Sequence, residues 1–277
     1  MEQTVSLNEI ETLDKLPITG HNNGGKIFIR DKRTLIKLIP EYVDSTDRLD
    51  NPIKIKDPIY SLKVNHIRFL SDKKIPHAVL PRDIYNISDY DGIAYSEDYI
   101  NDATTFKSET VNRKYTFSQK MNAVSNVFEA IRNIHKYGVI GDIHLDNFLC
   151  NKDGAGFVID LDDLRINKEY IDFIFYLIRL KKMSRPIDLQ NENIDNIKAA
   201  ICALSFIYGI NFETMVRYYS LDELVKCLKK LDIKNVEQFK KVLTTIEGEF
   251  TYFDELLPYI NSDEMDERAR NKIGKKI

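Results

Sequence analysis

The hydrophobic period changes once along this chain of 277 residues, and that change limits the possible folds more than any other feature. Before about residue 100, apolar residues come in short runs broken by turn formers. After it they recur every three or four positions almost to the end. A turn at Gly20-His21-Asn22-Asn23-Gly24-Gly25 leads into a strand at Lys26 to Ile29. A turn at Asp31-Lys32-Arg33 follows, and a second strand, Thr34 to Leu38, closes the hairpin. Asp57 to Leu70 carries Ile59, Leu62, Ile67 and Leu70 at loosely helical spacing, and Asp89-Tyr90-Asp91-Gly92 reads as a hairpin tip leading into Ile93 to Tyr99. The pattern predicts an α+β chain in two parts: residues 1–99 mostly sheet with one helix, and residues 100–277 mainly helical.

In the second part, Ser118 is a candidate cap for a helix whose stripe is Met121, Val124, Val127, Phe128, Ile131 and Ile134, with Gly138 as its left-handed stop. An irregular segment from Gly141 to Asn147 follows, then a strand at Phe148 to Cys150, a turn at Lys152-Asp153-Gly154 and a strand at Phe157-Val158-Ile159. Helical spacing returns near 170–184, 193–209, 212–231 and 235–247. Hydrophobic residues make up 43% of the chain, enough for one large core or two lobes. Lys and Arg total 40 against 43 Asp and Glu, a net charge of −3, so nucleic acid or an anionic membrane is not an expected partner. The longest uncharged stretch, Ala199 to Asn211, is shorter than the ~20 residues a membrane span needs. The start Met1-Glu2-Gln3 does not resemble a signal peptide, so a cytoplasmic location is expected. Cys150, Cys202 and Cys227 lie far apart, which suits reduced thiols.

Phosphoryl transfer needs a group that orients the acceptor hydroxyl, hard oxygen ligands for a divalent cation, and a cation on the nonreacting phosphates. In Gly141-Asp142-Ile143-His144-Leu145-Asp146-Asn147-Phe148-Leu149, Asp142 precedes Asn147 by five positions, so one loop can offer a carboxylate and an amide oxygen to one pocket. Asp160 ends the next apolar strand. Carboxylate and amide oxygens suit Mg²⁺, with phosphate and water completing its octahedron. The alternative is a solvated acidic loop between a helix and a hairpin.

Taken whole, with the helix ending at Ile134-His135-Lys136-Tyr137-Gly138-Val139-Ile140 and the hairpin delivering Ile159-Asp160-Leu161-Asp162-Asp163, the phrase resembles the protein-kinase superfamily, including its aminoglycoside and choline kinase branch. The resemblance spans about residues 15 to 185 and implies a bilobal fold with ATP and Mg²⁺ as cofactors. It makes Asp142 the catalytic-loop Asp, Asn147 and Asp160 the metal ligands, and Lys37 in Thr34-Leu35-Ile36-Lys37-Leu38 the lysine on the α and β phosphates. It also puts Gly24 and Gly25 at the phosphate cover and the backbone near Asp98 and Ile100 at the adenine, although G-x-G-x-x-G is absent. His144 stands where protein kinases usually carry Lys, as a γ-phosphate contact or as a structural histidine.

Other positions depart from the family pattern. Ile140 replaces the usual His before the catalytic Asp, and Leu161 and Asp162 replace the Phe and Gly of D-F-G. No acid lies between Pro58 and Ser71 to pair with Lys37, leaving Asp57, Asp72 or Glu41 as substitutes. Asp172 resembles the buried helix acid that braces the catalytic loop in the family. The expected acceptor is a protein Ser or Thr hydroxyl. A small-molecule acceptor of the aminoglycoside or choline type, a silent nucleotide-binding scaffold, and a need for an activating partner stay open.

Overall fold

Between Leu35 and Ile39 only Lys37 is polar, so this stretch lacks the alternation of a half-exposed strand and needs cover on both faces. The computed structural model describes residues 3–16, 26–46, 52–112, 114–162, 164, 192–214, 221–230, 236–245 and 251–260. The chain divides into two compact units, Met1–Lys74 with Val79–Asn101, and Ile75–Ala78 with Asp102–Ile277. It is an α+β chain whose main sheet is mostly antiparallel.

The first unit contains β1 (Gln3–Val5), α1 (Leu7–Glu11), β2 (Asp14–Lys15), β3 (Lys26–Asp31), β4 (Thr34–Pro40), β5 (Tyr42–Thr46), β6 (Pro52–Lys56), α2 (Tyr60–Ser71), β7 (Ile84–Ile87) and β8 (Gly92–Asp98). Six strands form one sheet in the order β1-β7-β8-β4-β3-β2, antiparallel except for the β1 to β7 pair. β4 is central, and both its faces are covered. Ile36 and Leu38 pack with Phe28, Tyr85, Ala94 and Ile10 of α1, while Ile39 packs with Ile93, Tyr95, and Val64 and Ile67 of α2. β5 and β6 form a separate two-stranded ribbon.

Two local signals correct the sequence reading of this unit. A second helix, α1, is present because Ser6 and Glu9 form a capping box around its first turn. The helix expected from Asp57 begins at Tyr60, because Asp57 turns back to accept a hydrogen bond from the Ile59 N–H at 3.0 Å. Lys37 lies in the central strand β4, a place in the sheet that the sequence reading does not set. Gly24 and Gly25 lie outside the described residues.

The second unit contains β9 (Thr104–Thr105), α3 (Phe106–Asn112), α4 (Phe117–Ile134), β10 (Phe148–Cys150), β11 (Gly156–Val158), α5 (Glu192–Tyr208), α6 (Leu221–Lys230) and α7 (Val236–Thr244). α4 carries the stripe expected of it, but its cap is Thr116 and not Ser118. The Thr116 hydroxyl accepts from the Gln119 N–H while Gln119 reaches back to the Thr116 N–H, satisfying two end donors at once. The helix ends at Ile134 with His135 as its C-cap, four residues before Gly138. α5 is apolar all round from Ala199 to Tyr208, and every residue there is buried. The uncharged stretch is therefore a core helix, and among the described residues no helix is long and apolar enough to cross a membrane. The three cysteines are free thiols. Burial pushes the Cys150 thiol up to about 12 and the Cys202 thiol up as well.

Candidate active site

The loop after α4 is held from beneath by one residue. Asp195, in the first turns of α5, is fully buried, and its carboxylate accepts the N–H of Ile140 at 2.7 Å and that of Gly141 at 3.0 Å. His135 Nε2 stands 3.1 Å from the same group, and His135 Nδ1 is 2.9 Å from the Tyr252 hydroxyl. With Nε2–H donating to Asp195, Nδ1 accepts from Tyr252, which assigns the tautomer from the network. Burial raises Tyr252 to about 12, so its hydroxyl keeps the proton it donates. One turn along α5, Lys198 Nζ donates to the Gly141 carbonyl at 3.1 Å. One helix face thus grips both sides of the Gly141 peptide. Gly141 adopts φ 78°, a conformation in which a side chain costs energy.

Beyond this anchor the chain turns outward. The Asp142 side chain is 64% exposed, and its carboxylate lies 3.7 Å from His144 Nε2. His144 Nδ1 accepts the Asp146 N–H at 3.3 Å, and Asp146 pairs with Lys107 at 2.7 Å. Glu213 accepts the Leu145 N–H at 3.1 Å, capping a 3-10 turn over Leu145–Asn147. Asn147 is buried, and its Nδ2 donates to the Asp142 carbonyl at 2.8 Å, leaving Oδ1 as the atom able to act as a ligand.

The loop and the following hairpin meet through backbone. The Ile159 N–H donates to the Asn147 carbonyl at 3.0 Å, so Asp160 emerges beside Asn147. Asp160 is exposed and has φ 62°, a left-handed conformation that non-glycine residues seldom take and that Asp tolerates better than most. Backbone strain of this kind clusters at functional loops. The second unit therefore brings Asp142, His144, Asn147 and Asp160 together. Among the described residues no three of His, Cys, Asp and Glu converge as a metal cluster. The donor set here is one amide and one carboxylate, which fits Mg²⁺ held mainly by phosphate and water.

No family model matches the chain, and no curated protein matches it in sequence. The residues themselves carry the functional reading.

Lys37, Asp98 and Ile100 belong to the first unit. Lys37 Nζ is 3.3 Å from Glu97 Oε1, and both side chains are buried. This corrects the expectation that Asp57, Asp72 or Glu41 would meet Lys37. Glu41 pairs with Lys56, Asp57 lies 3.9 Å from Lys63, and Asp72 ends α2. Asp98 pairs with Thr34 in the strand ladder and with Arg82 through its side chain. The Tyr99 N–H is taken by the Arg33 carbonyl at 2.8 Å, whereas Ile100 makes no hydrogen bond to a described residue.

Asp172 lies outside the described residues, and the acid that braces the loop among those described is Asp195. Sequence reasoning missed it, although Asn193, Asp195 and Asn196 crowd the front of a helix that is uncharged from Ala199 onward. It also missed Glu97, an acid inside an apolar strand and so a natural counterpart to the equally misplaced Lys37.

Proposed function

We propose that the chain is a kinase-like phosphotransferase of two lobes, which moves the γ-phosphoryl group of ATP to a hydroxyl acceptor, with protein Ser or Thr first among acceptors. The observation that carries the reading is the braced loop. A buried carboxylate fixes two successive amides, an exposed Asp142 projects from the fixed segment, Asn147 is bonded to the Asp142 carbonyl, and the residue before Asp160 is bonded to the Asn147 carbonyl. Rigid placement of one carboxylate and two hard ligands is what a reaction governed by positioning and charge requires.

In this reading the Asp142 carboxylate accepts a hydrogen bond from the acceptor O–H and takes its proton as the new O–P bond forms and the β–γ bridging O–P bond breaks, releasing ADP. Asn147 Oδ1 and Asp160 would hold Mg²⁺, which would neutralise charge on the phosphates. Lys37 would draw charge from the nonreacting phosphates, and the backbone at Ile100 would offer adenine hydrogen-bonding groups that no described residue takes. His144 lies close enough to Asp142 to keep that carboxylate oriented.

Incubation with labelled ATP and Mg²⁺, alone, with a general protein acceptor and with a panel of aminoglycosides, tests the proposal. Label is expected on protein with the natural chain and not with Asp160→Ala. Label confined to an aminoglycoside moves the acceptor to small molecules. Absence of transfer in all three arms, with no ATP binding, rejects the reading.

A further inference from the structure

We infer that Glu97 is the positioning residue for Lys37, holding it charged and in place from the neighbouring strand. Its consequence at the phosphates rests on the phosphotransferase reading, but the pair itself rests on geometry alone. In the β4 to β8 register Lys37 stands opposite Tyr95 and Leu35 opposite Glu97. Lys37 and Glu97 are therefore diagonal neighbours on one sheet face, a separation that two long side chains bridge. Their side chains are 8% and 6% exposed and their charges 3.3 Å apart, and the Tyr95 ring lies 5.9 Å from Lys37 Nζ. This is the face on which α2 packs through Val64 and Ile67, yet α2, Tyr60–Ser71, contains no Asp or Glu. The helix that covers the lysine has no carboxylate to give it.

A buried ammonium without a counter-charge loses its proton readily. Glu97 supplies that counter-charge from within the sheet, so the pair forms when β4 and β8 take their register. No shift of α2 is needed to complete it. The device differs from a helix acid, which makes the lysine depend on where the helix sits.

The test reads Lys37 directly. The full chain is treated near pH 8 with an amine-acylating reagent, and the rate at each lysine is followed by peptide mass spectrometry. Lys120 is the internal control, because it too is buried and is paired with Glu109 at 3.1 Å. In Glu97→Gln, Lys37 is expected to react about tenfold faster or more as it loses the counter-charge that favours its protonated form, with Lys120 unchanged. Glu97→Asp, which keeps the charge, is expected to recover most of the protection. An unchanged Lys37 rate in Glu97→Gln overturns the inference. So does a rise matched at Lys120, which marks general loosening and not a lost partner. Shielding of Lys37 by MgATP in the natural chain tests the phosphotransferase reading separately: its absence defeats that reading and leaves the outcome for Glu97 standing.

Discussion

Removing the Asp142 carboxylate takes away a side chain that faces solvent, whereas removing Asp195 strips a buried acceptor from three donors. The two variants should therefore part company. Asp142→Ala is expected to leave stability within about 0.5 kcal/mol and ATP affinity nearly unchanged, while turnover falls ~10²–10⁴-fold. Asp195→Ala leaves two backbone N–H groups and His135 without their buried acceptor and is expected to cost about 3 kcal/mol or more, lowering the melting temperature. Steady-state kinetics and thermal unfolding of both variants check the contrast. Retained stability in Asp195→Ala would show the brace to be replaceable by water. At this scale, legibility followed sequence distance. Asp142, Asn147 and Asp160 lie within one loop and hairpin, so their spacing pointed to a shared pocket. Asp195 and Glu97 act on residues 54 and more positions away, and only the folded chain shows whom a buried charge meets.

Elements were read well where one pattern decided them. α4 has an unbroken apolar stripe, and only its ends were misplaced: the cap because Thr116 has Gln119 at the third position to close the box, the stop because the helix ends at Ile134, short of Gly138. α1 is five residues long, too short for a period to show, and among the described side chains of the β5–β6 ribbon none is buried to impose alternation. The hairpin of β10 and β11 owes its place to a feature periodicity does not see. Gly156 lies so close to α4 that an added Cβ would stand 2.0 Å from the Ala123 carbonyl oxygen. Backbone on both sides leaves no flexible side chain to yield. Gly156→Ala is expected to cost about 3 kcal/mol, at the upper end for an overpacked site, and Thr116→Ala about 1 kcal/mol for its lost cap. Chemical denaturation of the two variants gives the ranking, and the reverse order would mean that the hairpin slides on α4 without penalty. Since this hairpin delivers Asp160, Gly156→Ala should also lower transfer, while Thr116→Ala should not.

Across the whole molecule, acid tolerance should be limited by the first unit. His66 on α2 is buried, and burial lowers its pKa from 6.5 to about 4. The folded state therefore keeps His66 neutral in a range where the unfolded chain binds a proton. Because the unfolded state holds more protons there, stability rises with pH: the contribution is complete above about 6.5 and is lost as pH falls toward 4. After allowance for partial solvent screening, the loss over that window is on the order of 1–2 kcal/mol. Ordinary carboxylates titrate at about 4, so the span from about 6.5 to 5 separates His66 from them. Hydrogen exchange, corrected for intrinsic rates, should show β4 and β8 losing protection over that span while α4 holds. His66→Leu should flatten the dependence in the first unit and leave the second as it was. If β4 kept full protection to pH 5 in the natural chain, His66 would have to be taking up its proton without opening the core around it, and the burial that lowers its pKa could not be limiting stability.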